Sequence, residues 1–127
     1  LKRFSLHERT SEFGVACEQY IFQEIATFIN HHRQAQSLFY WRSYDKYEVD
    51  FVVELENGQV VLIEVKSTKK IQARHLSGIN AFREEKNIKI ASSIVVCFES
   101  TKRLVEEHIV IYPVIDFLKD LWEGKII

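Results

Sequence analysis

The stretch EVDFVVELENGQVVLIEVKSTKK, Glu48 to Lys70, decides the fold. Two apolar runs flank Asn57-Gly58, a pair that readily adopts the positive φ values of tight hairpin turns, so the segment reads as a β-hairpin. Its register decides which side chains meet. A plain two-residue turn would set Leu55 against Val60 and Phe51 against Glu64, mixing charge and hydrophobe on both faces. A loop of Glu56-Asn57-Gly58 with Gly58 left-handed pairs Leu55 with Gln59 instead and sorts the residues. Val49, Phe51, Val53 and Leu55 then share a dry face with Val61, Ile63 and Val65. The other face sets Asp50 opposite Glu64, Glu48 opposite Lys66 and Val52 opposite Leu62. Opposed carboxylates on neighbouring strands repel, and the natural remedies are a divalent cation or a shared proton.

Working outward, Thr10 or Ser11 can cap a first helix reaching about Asn30, with Glu12 near its positive end. Polar NHHRQAQS is a loop, and Leu38–Arg42 is a short aromatic strand that SYDKY turns into the strand Glu48–Leu55. From about Ile71 to Glu85, Leu76, Ile79, Ala81 and Phe82 fall at helical spacing. Ser92–Glu99 is a nearly continuous apolar run suited to a strand buried on both faces, which makes a right-handed parallel βαβ crossover with the preceding strand and helix. HIVIY is a further strand. Pro113 suits a helix start, and Val114, Phe117, Leu118, Leu121 and Trp122 form the apolar stripe of a closing helix that ends near Gly124. The expectation is an α/β fold with a mixed central sheet and flanking helices.

The chain of 127 residues, 46% hydrophobic, suffices for one domain with a real core. No apolar run approaches the roughly 20 residues of a membrane span, and LKRFSLHERT lacks the order of a signal peptide, so a cytoplasmic domain without a membrane partner is expected. Cys17 and Cys97 sit apart in apolar patterns, as small core residues rather than a disulfide or zinc framework. A net charge of −1 gives no global attraction for nucleic acid, so any such binding is local. The chain begins with Leu and contains no Met, which reads as a piece of something longer. No G-x-x-x-x-G-K-[ST] occurs, so ATP hydrolysis is not expected of this piece.

The first helix adds a third acid. At about 100° per residue, Glu18 falls within the apolar stripe of Gly14, Ile21, Phe22, Ile25 and Ile29. A buried carboxylate needs a cation, a donor or a proton. Gly14, one turn earlier, would let the helix approach the sheet closely.

Glu18 on a first helix, Asp50 in EVDFV and Glu64-Val65-Lys66 in IEVKS resemble the PD-(D/E)XK nuclease core, a restriction-endonuclease-like fold of order αβββαβ also found in archaeal Holliday junction resolvases. More narrowly, FGVACEQYIFQEI, YEVDFVVE, VVLIEVKST and VIDFLKDLWEGKI together resemble the uncharacterised C-terminal domain of a family of AAA-type P-loop ATPases. Val49 stands where the superfamily's name has proline. The resemblance implies that residues 1–127 are one nuclease-like domain, the C-terminal part of an ATPase whose P-loop domain lies outside this sequence. It implies that Asp50, Glu64 and the Val65 carbonyl bind Mg²⁺ or Mn²⁺, with Glu18 joining directly or through water; such hard cations prefer oxygen ligands. Lys66 would position the attacking water and stabilise developing charge, and the metal would act as Lewis acid in phosphodiester hydrolysis. Lys69, Lys70 and Arg74 would hold a nucleic-acid backbone, that of DNA, and a homo-oligomer is compatible with the family.

Taken singly, each residue has a plainer reading. Lys66 could pair with Glu48, Asp50 with Lys46 or Arg42, and Glu18 with a backbone amide or a Tyr hydroxyl, as exposed ion pairs and satisfied core acids commonly do. His31-His32 and His75 lack an acid and nucleophile at matching spacing and read as solvent-facing. Tyr40, Trp41, Tyr44 and Tyr47 suit either base stacking or core packing. Two functions follow: a metal-dependent nuclease domain appended to an ATPase, or a nuclease-fold module that binds nucleic acid or protein without cleaving.

Overall fold

The structure is a computed structural model that describes residues 2–3, 12–32 and 35–127. Its elements are β1 (Lys2–Arg3), α1 (Glu12–His31), β2 (Ser37–Arg42), β3 (Glu48–Glu54), β4 (Val60–Val65), α2 (Ser77–Glu85), β5 (Ile90–Cys97), β6 (Arg103–Val105), β7 (Ile109–Pro113) and α3 (Val114–Trp122). The expected cap at Thr10 or Ser11 lies outside the described residues. One seven-stranded sheet runs in the order β1-β2-β3-β4-β5-β7-β6. It is mixed, with β4, β5 and β7 parallel and the remaining neighbours antiparallel. The αβββαβ order from α1 to β5 and the parallel β4–α2–β5 crossover are both present.

The hairpin adopts the register that sorts its residues. Phe51 pairs with Ile63, Val52 with Leu62 and Val53 with Val61. Leu55 donates its N–H to the Gln59 carbonyl at 2.8 Å, and Gly58 closes the loop onto Leu55 at 2.9 Å with φ +85°. A residue with a Cβ is disfavoured at that φ, which is why glycine stands there.

The assignment of faces needs one correction. Phe51, Val53, Val61 and Ile63 pack beneath α1 and α3 with Ile21, Ile25, Phe28, Phe117 and Leu121. Val49, however, joins Val52 and Leu62 in a second core with Trp41, Ile79 and Phe82 of α2. The cause is a register shift: β2 advances from Phe39 to Trp41 while its partner residues on β3 run from Val52 to Val49. The extra residue on β3 is a bulge, and bulges re-aim the side chains around them. The face opposite α1 is therefore a second dry core rather than a charged surface. Each fully buried side chain contributes about 1.5–3 kcal/mol by transfer from water.

The second helix also starts later than expected. Ala73–Leu76 form a 3-10 turn before α2. Gln72 donates its N–H to His75 Nδ1 at 2.9 Å, and His75 N–H donates to the Gln72 carbonyl at 2.9 Å, which tightens this entry. Within α2, a Cβ built on Gly78 would overlap the backbone carbonyl of Glu48, so the helix rests directly on the start of β3. At the other end of the chain, Pro113 ends β7 and stands at the cap of α3. Gly124 at φ +75° closes the helix with an N–H bond to the Leu121 carbonyl. Among the described residues, no helix is long and apolar enough to cross a membrane.

Candidate functional site

The ladder between β3 and β4 gives way immediately beyond the Phe51–Ile63 pair. Asp50 N–H donates not to a carbonyl but to Glu64 Oε1 at 2.7 Å, and Val65 N–H donates to Asp50 Oδ2 at 2.8 Å. Two acids thus stitch the strands together where main-chain pairing ends. Lys66 Nζ stands 3.2 Å from Glu64 Oε2. Glu18 enters from the inner face of α1, whose buried positions Gly14, Glu18, Ile21, Ile25 and Phe28 recur at three- and four-residue steps. Glu18, Asp50 and Glu64 are respectively 4%, 7% and 4% exposed, so all three acids are withdrawn from water.

Burial governs their acidity. It pushes Glu18 up to about 7, reinforced by the charges of Glu64 and Glu48 and opposed by Lys66 and a hydrogen bond with Asp50. Asp50 is likewise pushed up to about 7, by burial first and by Glu18 next, against the pull of the Val65 amide and Lys66. Glu64 is raised well above the usual carboxylate range by burial and by Asp50. Lys66 is raised as well, first by the charge of Glu64, so it remains an ammonium at neutral pH. Among the described residues, the site is a set of mutually repelling buried acids with Lys66 as the cation at its rim.

The plainer pairings resolve differently from expectation. Glu48 binds Arg42 at 3.4 Å and Lys66 takes Glu64. Glu18 Oε1 is buried without a hydrogen-bond partner, a costly condition that a cation or a proton would relieve. Among the described residues, no group of three or more His, Cys, Asp or Glu side chains is already arranged as a metal cage. Asp50 and Glu64 spend oxygens on backbone amides instead. The chemistry of the donor set, three carboxylates and the nearby Val65 main chain, fits a hard divalent cation, and the orphaned Glu18 oxygen supplies an open ligand position.

Lys69, Lys70 and Arg74 are exposed beyond β4, with Arg74 Nε bonded to Gln72 Oε1 at 3.2 Å. Cys17 and Cys97 are free thiols, the second buried. Trp41 belongs to the core, whereas Tyr44 is 99% exposed. Sequence reasoning missed the clasp between Glu99 and Arg103. Arg103 donates to both Glu99 oxygens at 2.8 Å, and Glu99 Oε2 accepts the Ile71 N–H at 2.7 Å, which ties down the segment carrying Lys69 and Lys70. Arg103, through its hydrogen bonds, holds the Glu99 carboxyl down to about 2. Its four-residue spacing carries meaning only on a helix, and these residues lie on a loop and a strand.

A family model described as Domain of unknown function (DUF4143) matches residues 13–117. No curated protein matches the chain. A solved structure is similar: a chain in the refined half-complex from the tetradecameric assembly of Thermococcus gammatolerans McrB AAA+ hexamers with bound McrC. The likeness has a TM-score of 0.60 at 16% sequence identity and covers 90% of this chain. This chain spans about a third of that one's length, 33%.

Proposed function

We propose that this chain, which belongs to the DUF4143 family, carries a divalent-metal-dependent centre that hydrolyses phosphodiester bonds, with DNA as the substrate. The observation that carries the reading is the convergence of buried Glu18, Asp50 and Glu64, with Lys66 beside them, where β3 and β4 stop pairing. Perturbed acids gathered in this way are a marker of functional sites. Asp50, Glu64, the Val65 carbonyl and Glu18 would hold Mg²⁺ or Mn²⁺. When bound, the ion would supply Lewis-acid neutralisation of charge on the phosphate.

The remaining work falls to the chain. The charge of Glu64 raises Lys66 in the metal-free site, and as an ammonium it is suited to orient water and to stabilise the charge that grows on the phosphate oxygens. Water attacks phosphorus and gives up a proton to solvent, the bond to the leaving oxygen breaks, and that oxygen takes up a proton from solvent. Lys69, Lys70 and Arg74 hold the backbone on the approach. The solved assembly named above contains AAA+ hexamers, and this supports placing the domain beside an AAA-type ATPase, in more than one copy.

A second reading, a module that binds without cleaving, is favoured by the net charge of −1 and by the absence of a ready-made cage among the described residues. Cleavage of plasmid and branched DNA with Mn²⁺ separates the two. The nuclease reading expects cleavage that falls at least about a hundredfold in Lys66→Ala while Mn²⁺ binding persists. Strand binding that never leads to scission, in wild type with Mn²⁺ bound, selects the second.

A further inference from the structure

A cavity of about 310 Å³ lies between α1, the carboxyl ends of β4 and β5, and the first turns of α3. That position is where ligands enter open α/β sheets, outside the carboxyl ends of the parallel strands. Its volume is at the small end of the range for ligand sites. Among the described residues the walls are almost wholly apolar, and Lys66 is the one charged side chain in them. Tyr20 and Phe98, 53% and 38% exposed, stand at its rim, and the Phe98 ring stacks on Phe13 with centroids 5.6 Å apart.

The cavity and the acid centre share a wall. Val65 lines the cavity and donates its N–H to Asp50; Lys66 lines the cavity and pairs with Glu64. Whatever lies in this cavity is therefore the immediate neighbour of whatever Lys66 holds. If that is a phosphate, the neighbour within the same ligand is a sugar or a base. An apolar, aromatic-rimmed space suits the flat base, whose faces stack and whose polar edge can turn to solvent. A paired base inside a duplex cannot enter, because it would have to leave its stack and its partner.

We propose that the cavity receives an unpaired nucleobase adjacent to the phosphate at Lys66, so that the substrate is single-stranded or unpaired nucleic acid. The inference rests on the nuclease reading for the position of the phosphate. Tyr20 and Phe98 are its specificity-determining residues, and since both rings are exposed their removal leaves the core intact.

The test is fluorescence anisotropy with Ca²⁺ present, on a short labelled oligo(dT), an abasic strand of equal length and a duplex. Oligo(dT) is expected to bind about tenfold more tightly than the abasic strand, as one stacked base implies. The double variant Tyr20→Ala, Phe98→Ala should bring oligo(dT) down to the abasic affinity and leave the abasic affinity unchanged, while Tyr20→Phe keeps the difference. Equal affinity of wild type for the two strands, or equal weakening of both by the double variant, overturns the pocket. So does a wild type that binds neither strand, and a Mn²⁺ binding heat that depends on Asp50 would then leave the metal-centre reading standing. Loss of both signals would overturn both.

Discussion

Glu18, Asp50 and Glu64 illustrate how burial acts against hydrogen bonds and a nearby cation on a carboxyl group. Each amide bond favours the charged form, yet withdrawal from water and mutual repulsion prevail, and Glu18 and Asp50 are both raised to about 7. A group raised in this way holds a proton in the folded chain that it has lost in the unfolded one. Their contribution to the stability of the metal-free protein should therefore be fully present below about pH 4 and be lost, by several kcal/mol, as pH rises toward 7–8. The Glu99 carboxyl, held down to about 2, acts with the opposite sign only as pH falls below about 4.5, and His75, lowered by burial and by Arg74, opposes the trend within the window. Urea unfolding at pH 5 and pH 8 checks the slope, and Glu18→Gln should flatten it. Glu18, Asp50 and Glu64 were legible in the sequence: an acid in an apolar helical stripe and two acids opposed across a hairpin are conflicts between charge and pattern. Their partners were not, because choosing Glu64 over Glu48 for Lys66 depends on side-chain directions that strand alternation does not specify.

The elements that position these residues are the hairpin, the bulge and the second helix. The hairpin register followed from Asn57-Gly58 and the alternation of Val and Ile, because only one pairing segregates charge. The bulge did not, since an extra residue between Val52 and Val49 leaves the run of apolar residues unchanged while moving Val49 to the α2 side. Nor did β6, whose three residues, Arg103–Val105, are too few and too exposed to make a pattern. Gly78 offers a clean test at this scale. Alanine normally favours a helix interior by about 1 kcal/mol over glycine. Here its Cβ meets the Glu48 carbonyl, so Gly78→Ala should destabilise by about 1–3 kcal/mol instead. Denaturant unfolding decides the sign, and a gain in stability would show that α2 does not bear on β3 as described.

At the scale of the whole molecule, two apolar cores flank one sheet, and the acid centre sits between them where the antiparallel half of the sheet meets the parallel half. That placement ties ion binding to folding. A cation that binds only the folded chain adds about 2.7 kcal/mol at a hundredfold excess over its Kd, and more as pH rises and the acids release their protons. The most direct measurement is a calorimetric Mn²⁺ titration at pH 8 of wild type and Asp50→Asn, paired with their thermal melts. A binding heat and a raised Tm are expected in wild type only. Metal-free Asp50→Asn is also expected to melt above metal-free wild type, because the amide removes a buried charge while its carbonyl oxygen can still accept the Val65 N–H. Absence of Mn²⁺ binding by wild type, or an equal response from the variant, would contradict the metal-centre reading.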